Sequence, residues 1–127
     1  MKKLFAPALG LVMGIAMGAA AVQGIHAQTK PPVYVVIPIL KITDPETFKK
    51  IAAISGPSAA AAGGRYIIRG GNTTKLDGTP PERLVVIAFD SVEKAKAWAD
   101  SPATKQVTEL RTKSTQSLSF IIEGTAN

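Results

Sequence analysis

Arginines, carboxylates and phenols carry whatever chemistry this sequence offers beyond residue 27. The one histidine is His26, and there is no cysteine. A domain starting at Gln28 has neither imidazole nor thiol. That removes the commonest ligands of zinc, copper and haem iron. It also removes Cys–His and Ser–His–Asp catalysis. No metal site, no cofactor and no disulfide framework is expected. The most pointed cluster is GGRYIIRGG at 63–71, a short strand with a glycine pair at each end. Strict alternation places Arg65, Ile67 and Arg69 on one face and Tyr66 and Ile68 on the other. Two guanidinium groups on an otherwise apolar strand make either a charged sheet edge or a wall that binds an anion.

Arg69, just before Gly70-Gly71, can hold a carboxylate or phosphate bidentately. It serves equally as the charge that protects an edge strand from aggregation. Arg111 follows the inward-facing Leu110 on a helix. It either joins Arg69 around an anion or pairs with Glu109 or Glu123 of the same or a second chain. Trp98 reads first as a core anchor between helix and sheet, and second as pocket lining. Tyr34 and Tyr66 offer phenols to a ligand, or pack with their hydroxyls satisfied. Glu82, Asp77 and Asp44 are carboxylates on loops. A raised-pKa Glu82 is a candidate general base, but no acid is paired with it, and beside Arg83 it also reads as a surface pair. The glycine pairs fit neither phosphate-loop pattern.

The elements that must position these groups follow a leader. Met1-Lys2-Lys3 is basic, the stretch to about Val22 is apolar and uncharged, and Ala27 is small. This is the layout of a secretory signal peptide over 1–27, with an exported, periplasmic or secreted, domain at 28–127. The alternative is an uncleaved anchor, since the apolar run approaches the roughly 20 residues that span a bilayer. A membrane association is expected only in that case. Without Lys2 and Lys3, 13 basic residues face nine acidic ones, and the charge falls from +6 to +4. The basic residues form no run, so nucleic acid is not an expected partner.

Residues 33–42 (VYVVIPILKI) read as a first strand, with Pro38 signalling an edge or bulge. Asp44-Pro45 opens a helix that Gly56-Pro57 should break or kink, that resumes over 58–62 and that Gly63-Gly64 should stop. The arginine strand at 64–69 and a long polar loop at 71–82 follow. A third strand, RLVVIAF at 83–89, precedes helices starting at Ser91 and Ser101 and a last strand at 117–123. Strand, helix, two strands, helix, strand is the ferredoxin-like βαββαβ order, an α+β fold with an antiparallel sheet and helices on one face. Strands one and three are apolar on both faces, yet helices cover only one. A two-fold homodimer with its sheets facing each other resolves that conflict.

TDPE-x-F at 43–48, GGRYIIRGG at 63–71, RLVVIAFDS at 83–91, AKAWADSP at 95–102 and Arg111 before SLSFIIEG at 117–124 stand in order. Together they resemble the bacterial domain-of-unknown-function family numbered thirteen-thirty, a branch of the dimeric α+β barrel superfamily. The resemblance covers about 32–124 and implies a ferredoxin-like homodimer, without supplying an activity. Two departures stand out. The family's loop before the third strand often carries Trp-Pro, here Thr79-Pro80, and its segment after the helix tryptophan often reads Ser-Pro-acid-Tyr, here Ser101-Pro102-Ala103-Thr104. Both missing aromatics are expected pocket residues, which puts any ligand usual in the family in question for this chain.

The functional expectation is a small, anionic or aromatic ligand bound between sheet and helices, with Arg69, Arg111, Trp98, Tyr34 and Glu82 as candidate contacts. The alternatives are a cofactor-independent oxygenase or isomerase, whose proton transfer falls to Glu82, Asp77 or a tyrosine, and an interaction module without a ligand.

Overall fold

The computed structural model describes residues 30–126; the leader expected over 1–27 lies outside them. One compact unit spans Pro32–Gly124. Its elements are β1 (Val33–Ile42), α1 (Pro45–Phe48), α2 (Ile51–Ala61), β2 (Arg65–Arg69), β3 (Arg83–Phe89), α3 (Val92–Ala99), α4 (Pro102–Ser114), β4 (Thr115–Ser117) and β5 (Phe120–Glu123). All pairings are antiparallel, in the order β2-β3-β1, with β4 and β5 sharing the far side of β1. This is the expected ferredoxin-like α+β arrangement.

One parity of β1 makes the core. Val33, Val35, Ile37 and Ile39 are buried against Ala59 of α2, Ala95 and Trp98 of α3, and Ile87 and Phe89 of β3. Trp98 packs at 5.5 Å from the Phe89 ring, and its indole N–H donates to Ser58 Oγ at 3.3 Å. The other parity stays open. Val36 and Leu40 of β1 share that face with Leu84 and Val86 of β3 and with Phe120 and Ile122 of β5. Leu40, Phe120 and Ile122 are among the exposed large apolar residues.

Side chains terminate the helices where the sequence says they should. Asp44 caps α1, accepting from the Thr47 hydroxyl at 2.7 Å and the Thr47 amide at 3.3 Å. These bonds hold the Asp44 carboxyl below the usual carboxylate range. Its depressed folded-state pKa makes this a contribution present above the unfolded value and lost as pH falls through the folded one. Ser91 and Ser101 cap α3 and α4 through the amides of Lys94 and Thr104. The carbonyl of Ser114, at the end of α4, accepts from the amides of Thr43 and Asp44 at 2.7 and 3.1 Å, tying α4 to the turn after β1.

Three local expectations are corrected. Gly56-Pro57 does not break α2, which runs through it. Pro57 and Ala53 lie exposed, so the carbonyl that loses its partner faces water. Of the two readings of Pro38, the edge is wrong, since β1 has neighbours on both sides, whereas the pairing close to it is irregular, the β1–β4 register slipping between Ile39 and Lys41. The Pro38 carbonyl accepts from Leu118 at 3.2 Å, so its missing N–H points to the side where the neighbouring strand lapses. That neighbour is the expected last strand, divided into β4 and β5 around Leu118-Ser119. The proline therefore interrupts its partner rather than its own strand.

The third correction concerns the arginine strand. The β2–β3 register slips between Tyr66 and Ile68, which leaves Ile67 as the extra residue of a bulge. Tyr66 stands opposite Ile87 and Arg69 opposite Val85, both on the helix side. Arg65 stands opposite Ala88 and Ile68 opposite Val86, both on the open side. The two arginines do not share a face.

Candidate functional site

The bulge brings Arg69 and Tyr66 under the helices. Strict alternation would have separated them. The Arg69 guanidinium carbon lies 4.1 Å from the Tyr66 ring centroid, a cation–π contact. On the helix side it meets α2 at Gly56, where a Cβ would come within 3.1 Å of Arg69 Nη2. Arg69 thus lies between an aromatic ring and the helix surface at Gly56, where an added Cβ would make the guanidinium shift by a few tenths of an ångström. Arg83, the first residue of β3, has a similar seat. Its guanidinium lies over Gly70, where a Cβ would stand 2.9 Å from Nη1 and where φ is +85°. The left-handed backbone favours glycine there, and the missing side chain leaves room for the Arg83 guanidinium.

These side chains border a cavity of about 310 Å³ between sheet and helices. Its floor is apolar, formed by Ile37 and Ile39 of β1 and Val85 and Ile87 of β3. Phe48, Ile51 and Val107 contribute from the helical side, and Trp98 forms one end. Four cations complete the lining: Lys49, Arg69, Arg83 and Arg111. Among the described residues, no carboxylate lines it.

The charge balance is unusual for an apolar cavity. Among the described residues the side-chain ion pairs are Lys49–Glu46 at 3.3 Å and Lys94–Asp90 at 3.4 Å, both exposed. Among the described residues, no carboxylate forms an ion pair with Arg69, Arg83 or Arg111. The expected alternative for Arg111, a bridge to Glu109 or Glu123, does not form within the chain. Burial pushes the Arg111 pKa below the ordinary arginine value. Arginine nonetheless stays cationic at neutral pH. Arg83 and Arg111 are partly buried and Arg69 is exposed. Guanidinium groups gathered without counter-charges repel one another, and an anion placed among them relieves that repulsion and the desolvation of Arg111.

Of the sequence candidates, Arg69, Arg111 and Trp98 meet at this cavity, and Tyr34 and Glu82 do not. Tyr34 belongs to the open face, in register with Ala88 and Ile122. Glu82 is outside the lining, and its Oε1 accepts from the backbone amide of Ile42 at 3.0 Å. It secures the end of β1 to the start of β3. Glu82→Ala should lower stability by about 0.5–1.5 kcal/mol, the net value of such a bond, without changing ligand affinity. Denaturant titration beside calorimetric binding checks both halves.

Arg83 and Lys49 line the site although sequence reasoning did not single them out. The signal for Arg83 was its parity with Val85 and Ile87. In a strand apolar on both faces, parity alone cannot say which face is covered. Gly56→Ala separates helix propensity from site geometry at one position. Alanine favours the helix by up to about 1 kcal/mol, while its Cβ must push Arg69 aside. A raised melting temperature with anion affinity a few-fold lower is the expected result, read by thermal melts and titration.

Solved structures share this fold. A protein of unknown function from Rhodopseudomonas palustris superposes with a TM-score of 0.59 at 14% identity, over 82% of this chain and 91% of that one. A dimeric ferredoxin-like protein of unknown function from Thermobifida fusca YX gives 0.54 at 11%, over 74% and 92%. A putative antibiotic biosynthesis monooxygenase from Caulobacter crescentus CB15 gives 0.53 at 11%, over 76% and 92%. At such identities the likeness shows the fold alone. No curated protein matches the sequence. The family described as Domain of unknown function (DUF1330) matches residues 32–125, the whole of the β-sheet and helices described above, and the chain belongs to that family.

Proposed function

We propose that this protein is an exported homodimer that binds a small amphipathic organic anion, a carboxylate or phosphate on an apolar or aromatic body, in the cavity beneath α2 and α4. One observation carries the reading: three guanidinium groups line a single apolar cavity, and no carboxylate of the described residues pairs with them. Bidentate hydrogen bonding to an oxyanion suits arginine in particular. A cavity of about 310 Å³ is at the small end for organic ligands, and Tyr66, Phe48 and Trp98 give it aromatic walls. Proton-transfer chemistry finds less support. Glu82 is engaged with Ile42 outside the cavity, and the neutral proton-bearing side chains in the lining are Tyr66, Ser55 and Trp98.

The homodimer reading rests on the open apolar face and on the dimeric Thermobifida relative of the same fold. Export rests on the layout of residues 1–27. N-terminal sequencing of the protein from cells tests it: a start at Gln28 is expected, and an intact Met1 overturns it.

Trp98 is the only tryptophan of the chain and borders the cavity, so its fluorescence reports binding directly. Titration with aryl carboxylates should give a saturable change. The matched carboxamides should bind about tenfold to a hundredfold more weakly, because hydrogen bonds to a charged acceptor are the stronger ones. Equal affinity for acid and amide overturns the anion assignment.

A further inference from the structure

A second cavity, of about 300 Å³, lies on the far side of Trp98. It shares three lining residues with the first: Ile37, Trp98 and Arg111. These three side chains border both chambers. The first chamber extends from them toward β3 and β2, the second toward β5. The second has a different chemistry. Val35, Ile37 and Ile121 make it apolar, Thr104, Thr108 and Ser119 add hydroxyls, and among the described residues Arg111 is its one charged group.

Two features bear on what this chamber does. The first is its position at the lapse between β4 and β5, where Leu118 and Ser119 leave the ladder opposite Pro38. Ser119 lines the chamber and is exposed, so the interrupted edge gives the chamber access to solvent. The second is the freedom of Arg111. Among the described residues, no carboxylate pairs with its side chain and no group hydrogen-bonds to it. Its backbone carbonyl, by contrast, accepts from Thr115 Oγ1 at 2.6 Å. The helix backbone at Arg111 is thus secured, while no hydrogen bond or ion pair to a described residue holds its guanidinium.

We propose that the chamber behind Trp98 and Arg111 is a second subsite of the same binding site. It takes the apolar tail of an elongated amphipathic anion whose charged head is held by the arginines of the first chamber. This rests on the anion-binding reading above and goes beyond it by assigning a ligand shape. An alkyl or aryl-alkyl chain threads past Arg111, whose stem lies along it while the guanidinium stays with the head. Two chambers joined in this way accept a ligand about twice as long as either alone. A compact aromatic acid leaves the second chamber empty.

The test is the affinity of the full mature protein for straight-chain alkanoates from hexanoate to tetradecanoate, measured by calorimetry and Trp98 fluorescence. Each methylene buried in an apolar chamber should add about threefold to fourfold in affinity, and the rise should continue past the length that fills the first chamber. Thr108→Phe and Ser119→Phe each place bulk in the second chamber from exposed positions that do not line the first. Both variants should bind hexanoate as the wild type does and bind dodecanoate at least about tenfold more weakly. Folded variants that keep the full rise with chain length overturn the second subsite, as does a wild-type affinity that levels off at short chains. In both cases the first chamber's anion binding stands. Failure of the wild type to bind alkanoates of any length overturns the subsite, and equal aryl acid and amide affinities overturn the anion reading itself. If neither variant folds, the wild-type length profile decides alone.

Discussion

Val86→Asp is expected to abolish the proposed dimer while leaving the protomer folded. Val86 lies mid-strand on the open face of β3, opposite Val36 of β1 and Ile68 of β2. In the isolated protomer its side chain borders solvent, so a carboxylate there remains hydrated. In a sheet-to-sheet dimer the same carboxylate loses its water and finds no partner among valine, isoleucine and leucine. Burying an unpaired charge in such a setting costs several kcal/mol, enough to raise the dimer dissociation constant about a hundredfold or more. Light scattering across a concentration series reads the oligomeric state, and far-UV circular dichroism reads the fold. A protein that stays dimeric with aspartate at this position refutes pairing through this face. Val86→Ala is the companion, since it removes volume without adding charge and should weaken the dimer far less.

The second large effect concerns the arginines. Arg69→Ala and Arg111→Ala should each weaken binding of an organic carboxylate by about tenfold to a hundredfold, the worth of a hydrogen bond to a charged group. The double variant should fall short of the product of the single effects, because both groups act on one ligand headgroup. Stability should move the other way. Removing Arg111 takes a desolvated, unpaired charge out of the interior, so the unliganded variant should melt no lower than wild type beyond the loss of its packed stem. Titration with Trp98 fluorescence and thermal melts of the unliganded proteins separate the two effects. Lower stability without any change in affinity would make these arginines structural.

Much of this architecture was legible in the residues themselves. Asp44-Pro45, Ser91 and Ser101-Pro102 mark helix starts because capping is local chemistry, decided within four residues. The order of strands and helices is equally local, and it leads to the ferredoxin-like sheet. The apolar character of both faces of β1 and β3 announces a face that needs covering. Trp98 read as a core anchor from its helical spacing, and the structure buries it against Phe89.

The face each arginine occupies was not legible. Alternation assigns Arg65 and Arg69 to one side. A single extra residue at Ile67, visible only in the β2–β3 register, sends Arg69 to the cavity and leaves Arg65 outside it. Pro38 misled in a similar way. Its meaning depends on which neighbour its missing N–H faces, a property of the sheet and not of the strand. Glu82 resembled a candidate base because a loop carboxylate beside an arginine has no sequence feature that reveals its partner. That partner is an amide 40 positions away.

The sequence by itself determined what chemistry is available: arginines, phenols and carboxylates, with no imidazole or thiol after position 27. It also determined the fold, since capping, periodicity and strand order are set by neighbours along the chain. Only the tertiary structure decided which of those groups meet. Register, bulge and helix placement are set by long-range packing. They bring Arg69, Arg83 and Arg111 around one apolar cavity and engage Glu82 at the end of β1.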